Sequence, residues 1–487
     1  MTFNSHEFIF VFLPCTLIVY LLLNRWHLTL ASTVWLILCS FVFYCWAEMK
    51  SGIVLAFSIL FNFCLGLALT ARPPSGTGQA RRKALLIFGI AVSAALLGYY
   101  KYTGFVINNL NQWWGLGLPV KKMLLPVGIS FLTFTQIAYL VDVYRSADRR
   151  TSFLNYVLFI SFFPRLLAGP IARYDEIIPQ LQSLKSKTLN YRNLSLALYL
   201  FAIGLFKKVE IADRLQDWAA AGFDGTHNLN LLLAWATSLS FSFQIYFDFS
   251  GYTDMAIAAA LFFNVRLPIN FNSPYKALDI QDFWRRWHIT LTRFLRDYIY
   301  IPLGGNRVSE AHVYCNLMAT FLIGGLWHGA GWTFVFWGFL HGAALILHRA
   351  WRKIGLRMPT VIAWLVTFNF VNIAWVFFRA KTWTDATRVL RGMAGLSGVA
   401  LPEEWKGALH SLANYGIEFM PWKRVMEGNR DSWLFIFGAL LICLFFKNSN
   451  EMTERFKPGW KSYIVLTAGA YAVLHMGAMQ EFVYRFF

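Results

Sequence analysis

Long apolar runs separated by short polar turns extend along the whole chain. A membrane-spanning helix needs about 20 mostly apolar residues. Runs that approach this length begin near Glu7, Leu28, Gly52, Ala84, Met123, Thr151, Asn193, Leu229, Asp248, Val313, Thr333, Val361, Ser432 and Tyr463. The pattern predicts roughly eleven to thirteen membrane helices, including re-entrant segments where polar residues interrupt the runs. The fold class expected is therefore an all-α polytopic integral membrane protein.

Composition narrows the class of protein further. Of the 487 residues, 57% are hydrophobic and 14% charged, whereas a soluble domain is about half apolar and a quarter charged. This excludes a soluble globular enzyme and also a disordered chain. The net charge of +19 indicates basic loops facing an anionic cytoplasmic leaflet. Contact with the lipid bilayer is expected, and a nucleic-acid partner is not.

Basic residues in the short loops predict the orientation. They cluster in the loop from Arg72 to Lys83, in the loop with Arg145, Arg149 and Arg150, and weakly around Arg25. These loops fall on one side if the first five segments alternate, and the excess of Lys and Arg places that side in the cytoplasm. The N-terminus is then outside. It lacks a basic leader and a cleavage site, which predicts a retained first span.

Two polar interruptions stand out because ionisable groups inside a membrane are costly and mark functional sites by default. Arg165 lies between Pro164 and Pro170, either in a functional segment or in a loop at the headgroups. Asp248 and Asp254 lie in an apolar stretch that also holds Gln244, Ser250 and Tyr252. The two carboxylates face a watery cavity, pair with an arginine, or belong to a short external turn.

The segment 270–307 carries the densest charge in the core of the chain. Asp279 is expected to cap a helix, with Asp282 three residues on in the style of a capping box. At about 100° per residue, one helix face holds Asp282, Arg285, Arg286, Arg293 and Arg296, and the other holds Trp284, Trp287, Leu291, Phe294, Leu295 and Tyr298. The pattern predicts one amphipathic helix with His288 in the middle of its apolar face, as an active-site or a structural histidine.

A second histidine, His328, lies in the run GGLWHGAGW. The glycines allow close approach of a backbone or a thin ligand arm, and Trp327 and Trp332 supply uncharged walls. A buried histidine in such a setting suits general-base chemistry, although a structural role is the alternative. His341, thirteen residues after His328 and in a plainer context, is placed to share its helix face. No nucleophile elbow, HExxH motif, P-loop or C-x-x-C pair occurs, so a covalent serine mechanism and a metal site are not indicated.

Taken together, these segments resemble the membrane-bound O-acyltransferase family, and within it the bacterial alginate O-acetylation (AlgI-like) branch. The resemblance is carried by FFPRLLAGPIARYDEIIPQL, YFDFSGYTDMAIA, the FWRRWH run with its flanks, GLWHGAGWTFVFWGFLHG, NIAWVFFRA and the C-terminal EFVYRFF. It covers the chain from about residue 126 to the end. It implies one transmembrane domain, with N-terminal helices in 1–122, a catalytic core in 123–380, a hydrophilic insert with surface helices in 381–431 and C-terminal helices in 432–487.

The resemblance also implies an activity. His328 would be the catalytic histidine and His288 the second active-site histidine, both in a tunnel crossing the bacterial inner membrane. An acetyl group would pass from cytoplasmic acetyl-CoA, with no permanently bound cofactor, to an exopolysaccharide such as alginate or cellulose. A periplasmic SGNH-type, serine-dependent acetyltransferase would complete the transfer to sugar.

The tunnel is expected to be lined by further residues of these segments. They are Trp284, Arg285, Arg286, Trp287, Trp327, Trp332, Asp248, Gln244 and Asn272. Arg285, Arg286, Arg293 and Arg296 would meet the phosphates of the donor or anchor lipid headgroups. The alternatives are D-alanyl or lipid O-acyl transfer within the family, a transporter that uses the same polar residues, and a scaffold that needs neither histidine.

Overall fold

The structure, a computed structural model, describes residues 1–46, 48–70, 78–120, 123–146, 151–427 and 431–477. Arg72, Arg149 and Arg150 of the basic loops and the C-terminal EFVYRFF motif lie outside these ranges. Within them the chain is almost entirely helical, which confirms the predicted fold class. The described strands are β1 (Ala400–Pro402) and β2 (Glu418–Met420), which pair in parallel.

The N-terminal part consists of long apolar helices. They are α1 (Leu13–Arg25, after a π-helical turn at Glu7–Phe12), α2 (Thr29–Cys45), α3 (Met49–Thr70), α4 (Gly78–Trp114) and α5 (Ile129–Arg145). Arg82 donates hydrogen bonds to the carbonyls of Leu69 and Tyr144, both at 2.9 Å. The ends of α3 and α5 and the start of α4 therefore meet on one side, as the alternation of the basic loops predicts.

The middle of the chain wraps around one buried helix. The elements are α6 (Phe153–Ser161), α7 (Phe163–Leu166), α8 (Tyr174–Gln182), a 3₁₀ turn (Leu184–Lys187), α9 (Tyr191–Phe206), a π-helical turn (Lys207–Ala212), α10 (Asp213–Asp224) and α11 (Leu231–Leu261). Nearly every residue of α11 is buried, because its sequence is apolar on all sides and a helix of that kind belongs inside a bundle.

Helices of very different lengths complete the fold. They are α12 (Ile280–Arg286), α13 (Ile289–Leu295), a π-helical turn (Arg296–Tyr300), α14 (Glu310–His328), α15 (Trp332–Ile354), α16 (Thr360–Arg379), α17 (Trp383–Met393), α18 (Lys406–Leu409), α19 (Trp422–Val425), α20 (Ser432–Phe445), α21 (Ser449–Glu454) and α22 (Trp460–Leu474). Three 3₁₀ turns lie at Pro274–Lys276, Glu403–Trp405 and His410–Tyr415. In the predicted insert, α17 buries Ala386 and Val389 and packs against α11.

Four described helices are long and apolar enough to cross a membrane, namely Glu7–Arg25, α3, α4 and α16. The apolar helices α2 and α20 are shorter. The other described helices fall below the length or the mean hydropathy of these four, so the total of eleven to thirteen stays a prediction.

The prediction of one continuous amphipathic helix in segment 270–307 is wrong. Asp279 does cap α12, accepting a hydrogen bond from the backbone N–H of Asp282 at 2.7 Å. The helix then stops, because Trp287 is extended and His288 adopts the left-handed conformation at φ 43°. Backbone hydrogen bonds from Asn272 N–H to Arg286 and from Ile289 N–H to Asn270 secure the break. Local periodicity could not reveal these partners.

The glycines around His328 bring α14 and α15 together. A Cβ on Gly325 would lie 2.4 Å from the carbonyl oxygen of Phe334, and one on Gly338 would lie 2.4 Å from that of Phe321. Only glycine permits such contact between two helix backbones. Of the two roles considered for these residues, close backbone approach is the one that the structure shows.

Arg165 is buried rather than placed at the surface. Its side chain is 5% exposed, donates to the carbonyl of Ala172 at 3.2 Å and lies over the ring of Phe159 at 4.2 Å. A loop at the headgroups is therefore the wrong interpretation of this arginine.

Asp248 and Asp254 are intrahelical residues of α11, so the interpretation as a short external turn is wrong. Their partners are consecutive lysines rather than an arginine. Asp248 pairs with Lys208 at 2.9 Å and Asp254 with Lys207 at 2.7 Å. Lys208 also pairs with Asp213 at 2.7 Å. Because Lys208 and Asp248 are almost fully buried, each charge depends on its partner for compensation.

This ion pair generates a stability prediction. Replacing Lys208 by Met leaves the Asp248 carboxylate buried without its counter-charge, which costs about 3–5 kcal/mol. We expect a large fall in the melting temperature of the detergent-purified protein.

The matched double variant, Lys208→Met with Asp248→Asn, should recover part of that loss, because it removes the fully buried charge of Asp248 and leaves only the 18%-exposed Asp213 without its lysine. A double variant as unstable as Lys208→Met alone would contradict the pairing.

Candidate active site

His288 lies fully buried at the break between α12 and α13. Its Nδ1 is 3.3 Å from Oδ1 of Asn270, and that oxygen also accepts hydrogen bonds from the backbone N–H and the hydroxyl of Thr290, at 3.1 and 2.7 Å. Because this oxygen acts only as an acceptor, the hydrogen-bond network assigns the proton to Nδ1 of a neutral His288. Nε2 then carries the lone pair that can accept a proton.

His328 is the last residue of α14 and is 2% exposed. The final carbonyls of a helix lack intrahelical partners. Here α4 supplies them: Lys101 Nζ donates to the carbonyls of Trp327 and, at 3.1 Å, His328, while the Tyr102 hydroxyl donates to that of Leu326. Lys101 Nζ also reaches Ser130 Oγ at 3.2 Å. The end of α14, and with it the imidazole, is thereby fixed against α4 and α5.

Trp327 connects the two histidines. Its ring centroid lies 4.8 Å from that of His328 and 6.2 Å from that of His288. The indole N–H donates to the carbonyl of Ser130 at 3.2 Å, and Phe131 packs against its edge. The structure therefore brings together two histidines that lie 40 residues apart in the sequence, in a shell of aromatic rings that excludes water.

One face of α15 leads away from His328. The residues Trp337, His341, Leu345, His348 and Arg352 follow one another at spacings of three or four positions, so they share that face. Trp337 packs against His328 at 5.1 Å, and His341 packs against Trp337 at 4.7 Å. Trp284 of α12 donates its indole N–H to Nδ1 of His341 at 3.2 Å. His341 thus belongs to the site. The expectation that it shares a helix face with His328 is wrong, because the chain breaks after His328 and the two histidines lie on different helices, α14 and α15.

Two adjoining cavities lie at the other end of this face. One, of about 340 Å³, is lined by Trp284, Arg285, Leu295 and Phe321 among others. The second, of about 520 Å³, shares Gln281, Arg296, Tyr300, Leu317 and Leu345 with it and is also lined by His348, Arg349, Arg352 and Lys353. The pair forms a basic mouth whose inner end is Trp284.

Most of the arginines predicted to bind phosphate already have carboxylate partners. Arg286 pairs with Asp282 at 2.9 Å, and Arg296 with Asp297 at 2.7 Å. Arg293 pairs with both carboxylate oxygens of Glu176, at 2.6 and 3.0 Å. Arg285 is exposed and lines the smaller cavity.

Arg349 and Arg352 differ from these. In the part of the chain that the structure describes, their hydrogen-bond partners are neutral amides, Asn306 at 3.3 Å and Gln281 at 3.4 Å. Their charge is therefore available to an anionic ligand at the basic mouth.

Several residues predicted to line the tunnel lie elsewhere. Trp332 is 46% exposed and donates to Asn109 of α4, because the chain reverses between α14 and α15 and turns this side chain outward. Gln244 contacts Gln216 of α10, on the side of α11 that holds the Asp248 ion pair. Asn272 is exposed and accepts a hydrogen bond from Asn448. Trp287, in contrast, lies at the site: it precedes His288 and is buried against Trp375 at 5.0 Å.

Sequence reasoning missed four residues that the structure places at the site. Lys101 is a single cation within the apolar part of α4, and an isolated charge of that kind is a recognised signal. Asn270 carries no comparable signal, because its role depends on pairing across a helix break. Trp337 and Trp375 read as ordinary apolar residues. Within the described ranges, no group of three or more His, Cys, Asp or Glu side chains is placed to hold a metal ion.

The chain is similar to a known protein family and to individual proteins of several bacteria. The model of the membrane-bound O-acyltransferase family matches residues 128–382. A peptidoglycan O-acetyltransferase of Helicobacter pylori is 49% identical over 431 residues, which cover 82% of this chain and 81% of that protein. A probable alginate O-acetylase of Pseudomonas aeruginosa is 38% identical, covering 81% and 75%. A teichoic acid D-alanyltransferase of Bacillus subtilis is 27% identical, covering 54% and 71%.

The match spans both histidines, Asn270 and the α14–α15 hairpin, and the helical architecture is that of a multi-pass membrane protein. The chain belongs to the membrane-bound O-acyltransferase family and is an O-acyltransferase.

Proposed function

We propose that the protein takes an acetyl group from cytoplasmic acetyl-CoA and passes it across the inner membrane for O-acetylation of peptidoglycan. The observation that carries this proposal is the row of side chains along one face of α15, which marks a path from the basic mouth at Arg349 and Arg352 to the buried pair His328 and His288. The path supplies charge where the donor has phosphates and an apolar, water-excluding environment where the acyl group reacts.

Electrostatics supports the basic mouth as the entry for the donor. Arg349 and Arg352 offer guanidinium groups whose described partners are neutral, and guanidinium is well suited to phosphate. From Arg352 to Trp337, α15 rises by roughly 22 Å at about 1.5 Å per residue. A thin arm that links phosphates to a thioester fits such a path better than a globular ligand does.

Contacts of α5 with the basic mouth and with α4 support a cytoplasmic position for the mouth. Arg145, at the end of α5, donates to the carbonyl of Asp297, next to Arg296 in the mouth. Arg82 joins the end of α5 to the basic start of α4. The mouth therefore shares a side with the basic loops, which the positive-inside rule places in the cytoplasm. The N-terminus is then periplasmic by alternation.

The chemistry follows from the two imidazoles. His328 acts as the general base that takes the proton of the acceptor hydroxyl, whose oxygen attacks the thioester carbonyl. The C–S bond breaks as the ester C–O bond forms, and the proton passes from His328 to the departing thiolate of coenzyme A; such proton transfer contributes about 10²- to 10⁴-fold in rate. His288, with its proton on Nδ1 facing Asn270, presents Nε2 as an acceptor. Of its two roles considered, orienting the acceptor hydroxyl therefore fits better than donating to the carbonyl oxygen.

The choice of acceptor is supported by the relatives. The peptidoglycan O-acetyltransferase shares 49% identity with this chain, against 38% for the probable alginate O-acetylase. The D-alanyltransferase matches at 27% over about half of the chain. Peptidoglycan is therefore preferred over alginate, cellulose or teichoic acid. Because the chain carries no serine-hydrolase motif, we include a periplasmic SGNH-type acetyltransferase as the partner that completes the transfer.

Replacing His328 by Ala tests the proposal. The purified variant should fold, as judged by its melting temperature, and should lose acetyl-CoA turnover by about 10²-fold or more, because the general base is absent. Peptidoglycan from cells carrying only this variant should have lost its O-acetyl esters, measured after mild alkaline release.

Turnover at the wild-type rate in the variant would contradict the general-base role. Unchanged peptidoglycan esters, with a loss of esters in another envelope polymer, would overturn the acceptor.

Replacing Arg349 and Arg352 by Gln tests the basic mouth. The KM for acetyl-CoA should rise about 10-fold or more, because charge-assisted hydrogen bonds to phosphate are lost. The KM for acetyl-pantetheine, which lacks phosphates, should stay unchanged.

Arg192→Gln, at an exposed position of α9, serves as the matched control and should leave both KM values unchanged. Equal effects on the two donors in the Arg349 and Arg352 variant would place the phosphates elsewhere.

Lys101→Met tests the support of His328. The carbonyls of Trp327 and His328 lose a charged donor, so the end of α14 shifts and kcat should fall about 10-fold or more. The KM for acetyl-CoA should change little, because the mouth is intact.

Lys101→Arg keeps a cationic donor and should restore part of kcat. A loss confined to the melting temperature, with kcat unchanged, would make Lys101 a structural residue only.

A further inference from the structure

Three buried N–H groups lie between the basic mouth and His328 without an acceptor among the described residues. They belong to the indoles of Trp337 and Trp375 and to Nε2 of His341. The residues are 1%, 1% and 0% exposed. Buried donors are nearly always paired in folded proteins, so three such groups in one place need an explanation.

These groups form one cluster, here called the donor cluster. The rings of Trp337 and Trp375 stack with centroids 5.7 Å apart and planes 19° apart. His341 packs against Trp337 at 4.7 Å and reaches Trp375 at 6.5 Å. Because an indole N–H lies in the plane of its ring, neither stacked indole can direct its N–H at the face of the other. The two indoles therefore cannot provide acceptors for each other's N–H groups.

The proton on His341 is fixed by its neighbour. Trp284 donates its indole N–H to Nδ1 of His341 at 3.2 Å, so Nδ1 acts as the acceptor. In the neutral ring the proton is then on Nε2. All three groups of the donor cluster are consequently donors, and the cluster presents no acceptor of its own.

The chemistry of the cluster selects its ligand. A donor-only site binds an oxygen acceptor, and the donor cluster is aromatic and neutral. An anion such as phosphate would be buried there without a counter-charge, which is strongly unfavourable. A neutral carbonyl oxygen accepts hydrogen bonds and carries no charge, so it suits this site. The position also agrees, because Trp284 lines the smaller cavity and Trp337 contacts His328.

We propose that the donor cluster of Trp337, Trp375 and His341 is a binding subsite for the amide carbonyl oxygens of the donor's pantetheine arm. This inference rests on the proposed function and adds the group by which the arm is held. The cluster thereby aligns the thioester with His328 and favours donors with an amide-bearing arm over simple thioesters.

The test removes the N–H groups while keeping the rings. Trp337 and Trp375 are replaced, singly and together, by benzothienylalanine, in which sulfur stands for the indole N–H. Turnover is measured with acetyl-CoA and with the acetyl thioester of a plain alkanethiol, which has no amide. Each lost hydrogen bond should raise the KM for acetyl-CoA about 3- to 10-fold, while kcat/KM for the alkyl thioester stays unchanged.

Trp433 provides the matched control. Its indole N–H also lacks an acceptor among the described residues, but it lies on α20, so the same replacement should leave both donors unaffected. The melting temperatures of the benzothienylalanine variants should equal that of the wild type, because the ring shapes are kept.

The outcomes separate the two proposals. Wild-type protein that turns over neither thioester would overturn the proposed function and the subsite with it. If the wild-type protein is active and the Trp337 and Trp375 variants keep its KM for acetyl-CoA, only the subsite is overturned. Equal losses with both thioesters would also overturn it, by assigning the cluster to the thioester carbonyl or to packing.

Discussion

Every backbone polar group inside a membrane must find a partner within the protein, and this constraint governs the site. The chain interrupts its helices at each histidine, after Arg286 and at His328. Each interruption exposes backbone groups that water cannot reach. Asn270 forms hydrogen bonds with backbone N–H groups next to His288, and Lys101 and Tyr102 donate hydrogen bonds to the last carbonyls of α14. Two polar caps, Asn270 at His288 and Lys101 with Tyr102 at His328, therefore hold the backbone at the two histidines.

The breaks also explain how the histidines acquire their geometry. A residue in the left-handed conformation is strained unless the surroundings hold it, and His288 is held by the hydrogen bonds of Asn270. His328 ends its helix beside Trp327, whose indole contacts both imidazoles. The close packing of α14 on α15 through Gly325 and Gly338 then aligns Trp337 and His341 with them. Rigid packing of this kind keeps reacting groups in place, which is a large part of catalysis.

The charged side chains also find most of their partners within the protein. The buried acids of α11 are neutralised by Lys207 and Lys208, and Arg286, Arg293 and Arg296 are paired with carboxylates. The arginines with neutral described partners, Arg349 and Arg352, lie at the mouth of the cavity. Charge content alone would not distinguish these groups. Their hydrogen-bond partners do, because a guanidinium bonded to a carboxylate holds the fold together, whereas one bonded to a neutral amide can still bind an anion.

The sequence by itself determined the membrane class, the helical fold and the family, because apolar runs and compact motifs such as FWRRWH and GLWHG are local patterns. It also singled out His288 and His328 as candidates, because each lies in one of these compact motifs. Only the tertiary structure decided that His288 lies at a break, that Asp248 pairs with Lys208 and that Trp332 points outward. It alone joined Lys101 and Asn270 to the site. These outcomes depend on partners far along the chain, and the satisfaction of buried polar groups is a property of the whole fold.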